Sequence, residues 1–314
     1  MINLKRSILI YLIIGLIFIS TGCRVSDKDE GYLETDKVKI EDNLKELTRT
    51  SRLRGTEDEL RNAEYIKEEM DSYGFTTDVQ EFDIYKTDVE SFFNNTNYFD
   101  LNPEKTEAMS KGHNIIADLN RDPDKKTIVF SSHYDTKEDS IGAWDNASGV
   151  VSLMEAARLI SPEKLDYNLR VIFFSSEEYF MFGSRSYIKS LSEEEVDEII
   201  GHINIDTVGN KDANKIIIET EDGKDNKLTR ELKRVLEDEE IENYPGTSSD
   251  EVSFQNKGIS NFKFTTADYL SKDFDKNLLI EESDLEALSI DRLADTVRVI
   301  FDYMKDLKVE NIDK

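Results

Sequence analysis

Apolar positions along the chain follow two periods, and the two alternate. After Thr56, residues Leu60, Ala63, Ile66, Met70 and Tyr73 recur every three or four positions, the spacing of one helical face. Thr56 and Glu59 fit a capping box at its start, and Gly74 supplies a stop. Apolar or alternating runs at 78–85, 114–119, 127–132, 169–175, 203–206, 216–219 and 262–265 predict strands, several apolar enough to be buried on both faces. Further helices are expected at 146–160, ending before Pro162, at 226–238, and at 284–304, where Ser283 and Glu286 form a second capping box. This alternation predicts an α/β protein, a three-layer α/β/α sandwich with a mixed, largely parallel sheet. Residues 86–112 fit neither period and read as a surface excursion. No boundary divides the stretch from 37 to 314, which is expected to be a single domain.

The 314 residues carry 40 Lys plus Arg against 67 Asp plus Glu, a formal net charge of −27. Such a surface cannot neutralise a phosphate backbone, so nucleic acid is excluded as a partner. One Cys rules out an intrachain disulfide. That Cys has a telling position. Lys5 and Arg6 precede an apolar run from Ile8 to Ile19, and Ser20, Thr21 and Gly22 lead into Cys23. The run is shorter than the about 20 residues of a spanning helix and has the layout of a secretory signal. Ending on Gly22-Cys23, it resembles a bacterial lipobox. The expected organisation is a signal peptide over 1–22, a lipidated Cys23 with a polar tether over 23–36, and a catalytic domain over 37–314. The protein would then be extracytoplasmic, on the outer face of the bacterial cell membrane, touching the membrane only through its lipid.

Four strand ends or strand-to-helix turns present groups with metal and acid–base chemistry. His133 and Asp135 follow the apolar run 127–132; Asp145 opens the helix at 146; Glu177 and Glu178 follow the run 169–175; Asp206 closes Ile203-Asn204-Ile205. Alone, His133-Tyr134-Asp135 fits a hydrogen-bonded structural histidine, and Asp145 fits a helix N-cap. Together they place one imidazole and several carboxylates at one sheet edge, where α/β proteins bind ligands. This donor set suits a pair of divalent cations such as zinc, manganese or cobalt, with one carboxylate bridging ions about 3.5–4 Å apart. Of two adjacent glutamates, one can ligate while the other serves as general base.

The motifs S-H-Y-D, G-A-W-D-N-A-S-G-V, F-F-S-S-E-E-Y-F-M-F-G-S and N-I-D-T-V-G, in this order, resemble those of the co-catalytic zinc aminopeptidases of the aminopeptidase Y and bacterial leucyl aminopeptidase kind. The resemblance runs from Arg52-Leu53-Arg54-Gly55-Thr56 to the last helix. It implies two zinc ions, with His133, Asp145 and Asp206 holding one, Asp145 bridging, Glu178 binding the second, and Glu177 as the base. By the same resemblance, Asp135 orients the His133 ring and the Asp145–Asn146 peptide is cis. The substrates implied are peptides with free amino termini.

The chain departs from this pattern at the second metal. The family's histidine before the last helix is replaced by Ile280, with Glu281 as the substitute ligand, and the S-D-H-x-x-F element reads Ser249-Asp250-Glu251-Val252-Ser253-Phe254. His113 and His202 are expected to be structural. A second site built from oxygen would accept Mn2+ or Co2+, or stay empty. Two other functions remain open: a glutaminyl cyclase-like aminoacyltransferase, and a catalytically impaired surface lipoprotein that binds peptide or metal. Oligomeric state and side-chain preference are not encoded in any readable motif.

Overall fold

Among the described residues, eight strands form one sheet: β1 (Thr76–Tyr85), β2 (Ala108–Asp118), β3 (Thr127–His133), β4 (Asn168–Phe174), β5 (Ile199–Ile205), β6 (Ile216–Thr220), β7 (Ile241–Pro245) and β8 (Asn261–Thr265). A computed structural model of the chain describes residues 34–86, 108–213, 215–268 and 285–312, and orders the strands β1-β2-β4-β3-β5-β8-β6-β7. The pairs β4-β3, β3-β5, β5-β8 and β6-β7 are parallel. The pairs β1-β2, β2-β4 and β6-β8 are antiparallel, so the expected mixed sheet has a parallel centre. Contacts group the described residues from Thr35 onward into one compact unit, and of residues 1–34 only Glu34 is described. The expected signal peptide and Cys23 therefore lie outside the described residues. Among the described residues no helix is long and apolar enough to cross a membrane.

Among the described residues the helices are α1 (Lys37–Leu47), α2 (Glu57–Ser72), α3 (Ser148–Ile160), α4 (Phe182–Ser190), α5 (Glu193–Glu198), α6 (Lys227–Val235), α7 (Glu251–Gln255), α8 (Ile290–Asp306) and α9 (Val309–Ile312). Side chains alternate across a strand, so the central strands must supply two cores at once. Ile128, Phe130, Val171 and Phe173 pack on one face with Leu153 of α3 and Val297 of α8. Val129, Ile172 and Phe174 pack on the other with Tyr187 of α4 and Phe254 of α7. This explains their continuous apolar runs. Helix α3 buries every residue except Arg158, because it lies against both the sheet and α8.

Several expectations shift. Thr56 does cap α2, accepting from the Glu59 N–H at 3.2 Å, but Glu59 does not complete the box. Its buried carboxylate instead accepts from the Tyr134 hydroxyl and lies 2.9 Å from His113 Nδ1. Leu60 falls off the stripe, 39% exposed. Of the excursion expected over 86–112, residues 108–112 belong to β2, where they pair with β1; residues 87–107 lie outside the described residues. Helix α8 starts at Ile290 rather than 284, with Ser289 as its cap. The reason is tertiary: Lys211 N–H donates to Ala287 O and Ser289 N–H to Gly209 O, both at 3.0 Å, holding 287–289 away from helical geometry. Leu285–Ala287 forms only a 3-10 turn, and Ser283 lies outside the described residues. Asp36, last residue of the expected tether, already docks on the domain, capping α1 and donating its N–H to Glu155 at 2.6 Å.

Candidate active site

Strands β3, β4 and β5 are neighbours and parallel, so their carboxyl ends share one edge. His133 ends β3, Asp206 follows β5, and Glu177 and Glu178 come three and four residues after β4. The chain passes from β3 to β4 through α3 on one face, and from β4 to β5 through α4 and α5 on the other. Such a reversal opens a crevice beyond the strand ends, the usual ligand position in open α/β sheets.

Three buried side chains hold the site's backbone. Arg52, fully buried, donates to the carbonyls of Tyr134, Leu47 (2.6 Å), Ile141 (2.6 Å) and Gly142 (2.9 Å), fixing the loop that delivers Asp145. Burial pulls its guanidinium down to about 10, while Asp135 and Asp145 act to raise it. Asn146 follows a cis peptide after Asp145. Its amide donates to Ser132 Oγ (2.9 Å) and Ile205 O (3.0 Å), and its Oδ1 accepts from Gly149 N (3.0 Å) and Thr207 N (3.2 Å). One side chain thus ties β3, β5 and the start of α3 together. Asp145 is therefore no N-cap; helix α3 begins only at Ser148. The third is Asp135. Its carboxylate accepts from the N–H of Glu177 (3.0 Å) and of Glu178 (3.2 Å), while His133 Nδ1 is 3.5 Å away and has no hydrogen-bond partner among the described residues. Asp135 holds the glutamate pair more firmly than the ring it was expected to orient.

Around His133 Nε2 stand Asp145 Oδ1 at 3.0 Å, Asp206 Oδ1 at 3.7 Å and Glu177 Oε2 at 3.9 Å. Among the described residues two groups have ligand atoms within 4.8 Å of one another: His133, Asp145 and Asp206, and His133, Glu177 and Glu178. Among the described residues Asp206 Oδ1 is buried with no hydrogen bond, an arrangement that costs free energy unless a cation takes up the lone pairs, and Glu178 Oε1, also without a hydrogen bond, has the Lys137 ammonium 3.5 Å away. One imidazole and two carboxylates are a suitable first set for zinc. The second position has less. Asp145 and Glu178 face it together with Lys137 Nζ, 3.3 Å from Asp145 Oδ2 and 3.5 Å from Glu178 Oε1; Glu281 lies outside the described residues.

The crowding of acids shows in their titration. Burial, joined by Asp250, Glu178 and Asp206, pushes Glu177 well above the carboxylate range, against the pull of His133. Burial and Asp145 push Glu178 up to about 8. Burial also acts to raise Asp145, but the His133 hydrogen bond and Lys137 outweigh it and hold it at about 2. Burial opposes charge on His133, yet the surrounding carboxylates raise it well above its ordinary value. Asp250, fully buried, is raised to about 8 by burial.

The other two histidines are structural, as expected. His113 lies in β2 against Glu59, and His202, inside β5, stacks on Phe254 at 3.6 Å and meets Ser131 Oγ at 2.7 Å. A cavity of about 610 Å³ opens over the cluster and reaches Glu219, Tyr244, Ser248 and Lys263. Lys263 and Glu219 form a buried ion pair there at 2.8 Å. Sequence reasoning missed this wall, along with Lys137 and the role of Arg52, because nothing local marks which loop residues meet.

Fold and cluster together define the α/β/α metallopeptidase class. The chain belongs to Peptidase family M28, whose family model matches residues 114–302. Aminopeptidase YwaD of Bacillus subtilis (strain 168) is 30% identical over 171 residues, 53% of this chain and 38% of that relative. The matched stretch thus spans well under half of that relative's length. Among solved structures, the zinc aminopeptidase BSAP from Bacillus subtilis matches with a TM-score of 0.74 at 18% identity, covering 89% of this chain and 99% of the other. A glutaminyl cyclase from Bacteroides thetaiotaomicron bound to N-acetylhistamine shares the fold with a TM-score of 0.68 at 16% identity, covering 88% of this chain and 100% of the other.

Proposed function

We propose that this protein is a zinc-dependent aminopeptidase with a non-standard second metal site, removing the first residue of peptides. The observation that carries the reading is the set His133, Asp145 and Asp206 with Glu177 beside it, its carboxylate 3.9 Å from His133 Nε2. A zinc ion held by the three would polarise the scissile carbonyl and lower the pKa of water. Glu177, raised by burial and by its acidic neighbours, accepts the proton of the attacking water and passes it to the departing amine. Asp135 keeps Glu177 and Glu178 in place through their backbone N–H groups. His133 and Asp145 fix each other at 3.0 Å. The cavity is lined by Asp145, Glu177, Glu178, Asp206 and Glu219 against Lys137 and Lys263, so its acids outnumber its bases and a cationic free amino terminus is favoured there over a blocked one.

The pattern of Lys5, Arg6, the apolar run 8–19 and Gly22-Cys23 supports a lipid-anchored place outside the bacterial cell membrane. The lack of a histidine for the second metal favours, as a second reading, a lipoprotein that binds peptide without turnover. Glu177→Gln separates the two. On the enzymatic reading it lowers kcat by about 10²–10⁴-fold with zinc content unchanged. Unchanged turnover in this variant overturns the assignment of the base, and no turnover in the zinc-loaded parent favours the binding protein.

A further inference from the structure

Strand β8 reads Asn261-Phe262-Lys263-Phe264-Thr265, and Phe262 and Phe264 belong to the main core. Lys263 between them faces the other side of the sheet, on a strand flanked by β5 and β6. Directly across on β6 stands Glu219, and across from Glu219 on β7 stands Tyr244. Lys263 Nζ lies 2.8 Å from Glu219 Oε2 and donates to Ser248 Oγ at 3.3 Å, and both charged residues are buried. A buried ion pair is a poor stabilising device, because an apolar pair of similar volume often does as well. The fold alone therefore gives little reason for this one. What sets it apart is its place on the wall of the cavity that opens over the metal cluster.

That cavity, about 610 Å³, falls within the roughly 300–1,000 Å³ of small-molecule clefts, so it has room beyond a terminal amine and one peptide bond. Phe180, Met181, Tyr244 and Pro245 give it apolar surface, and Glu219 adds a carboxylate. Lys263, with 5% of its side chain exposed against 12% for Glu219, is the deeper member of the pair, so the cavity meets the anion before the cation. Apolar walls with one anionic contact match a side chain that is apolar along its stem and cationic at its tip. If the cluster takes the amino terminus and the first carbonyl, the first side chain branches from the carbon between them and is the one that enters this space. Resting on the aminopeptidase reading of the cluster, we propose that Glu219 is the specificity residue for the first side chain, and that the preferred first residues are lysine and arginine. Lys263 is the positioning residue that holds the Glu219 carboxylate against the sheet. Acidic first residues are disfavoured, because they meet Glu219 ahead of the Lys263 ammonium.

The test is binding, by calorimetry, of matched peptides whose first peptide bond is reduced to CH2–NH, so that nothing is cleaved, to the zinc-restored full chain in detergent. Their first residue is lysine, norleucine (the lysine stem without its amine) or glutamate. The lysyl peptide is expected to bind at least about tenfold more tightly than the norleucyl one, the worth of one charge-assisted hydrogen bond, and the glutamyl peptide more weakly than either. Glu219→Gln removes the charge; Glu219→Gln combined with Lys263→Met also removes the ammonium that the single change strands. In each, the lysyl advantage is expected to fall to about twofold or less. Equal binding of lysyl and norleucyl peptides by the parent overturns the proposal. So does a lysyl advantage that survives undiminished in either variant folded by circular dichroism. Cleavage of the unmodified peptides is read separately. Selective binding without turnover sinks the aminopeptidase reading and leaves Glu219 as the recognition residue, whereas turnover blind to the first side chain does the reverse.

Discussion

Arg52 is the residue on which the geometry of the site depends most, although it faces no substrate. Its guanidinium is buried, carries four hydrogen bonds to backbone carbonyls, and spans the segment before α2 and the loop 134–142. Replacement by Met conserves volume roughly but leaves three of the four carbonyls without a donor, since Gly142 O still accepts from the Ala147 N–H at 2.9 Å. At about 1 kcal/mol for each, the low end for a stranded buried group, the loss is about 3 kcal/mol. Removing a buried charge returns part of this, since the guanidinium gives up solvation that is visible in its pKa of about 10. The net expectation for Arg52→Met is about 1–3 kcal/mol, measured as the shift in the urea midpoint of the zinc-free protein. Arg52→Lys is expected to be no better. It keeps the charge buried while offering three donors on a point group in place of a planar fork. Because the loop delivers Asp145, zinc affinity in both variants is expected to fall by about tenfold or more, equivalent to about 1.4 kcal/mol. Two results refute the reasoning: both variants within about 0.5 kcal/mol of the parent, or a Lys variant clearly more stable than the Met variant.

Two further outcomes follow from single contacts. The Glu59 hydrogen bond raises the pKa of His113, with burial opposing it and the Glu59 and Glu81 charges assisting. A folded-state pKa above the unfolded value of about 6.5 gives stability that is fully present below that pH and is lost as pH rises through the folded value. His113→Gln should therefore flatten the fall in Tm between about pH 6 and 9; an identical slope in parent and variant counts against the ion pair. A Cβ on Gly149 would stand 2.4 Å from Asn146 Oδ1 and 2.6 Å from both Ile205 O and Ser132 Oγ. Gly→Ala in a helix normally stabilises by up to about 1 kcal/mol. Here the sign should reverse, with Gly149→Ala losing more than about 1 kcal/mol and weakening zinc binding; a stabilised variant with unchanged zinc binding contradicts the packing of Asn146.

The strands were legible because β3, β4 and β5 feed two cores, which forces unbroken apolar runs such as Ile128-Val129-Phe130 and Val171-Ile172-Phe173-Phe174. His133, Asp145, Glu177, Glu178 and Asp206 were legible for a related reason: each stands just past such a run or at a turn, where chemistry and strand end coincide in sequence. Elements set by tertiary contacts were not. Strand β7 is an edge strand with only partly buried side chains, so Ile241-Glu242-Asn243-Tyr244 carries no clear period. The start of α8 is decided by backbone bonds to Gly209 and Lys211, about 80 residues away, and capping chemistry alone placed it too early. Glu59 looked like half of a capping box because its other partners, His113 and Tyr134, are distant in sequence. No local pattern singles out Lys137 or Lys263. Only the folded chain sets one beside Asp145 and Glu178 and the other beside Glu219.

The central claim is hydrolysis at a free amino terminus by the zinc-loaded cluster. The most direct measurement offers the chelated and zinc-restored protein a mixture of peptides that differ only in whether the amino terminus is free or acetylated, and follows release of the first residue by mass spectrometry. The expected result is zinc-dependent release from the free peptides, none from the acetylated ones, and none from either in Glu177→Gln. Cleavage of acetylated and free peptides alike, or zinc binding by a folded protein without any release, would contradict the account.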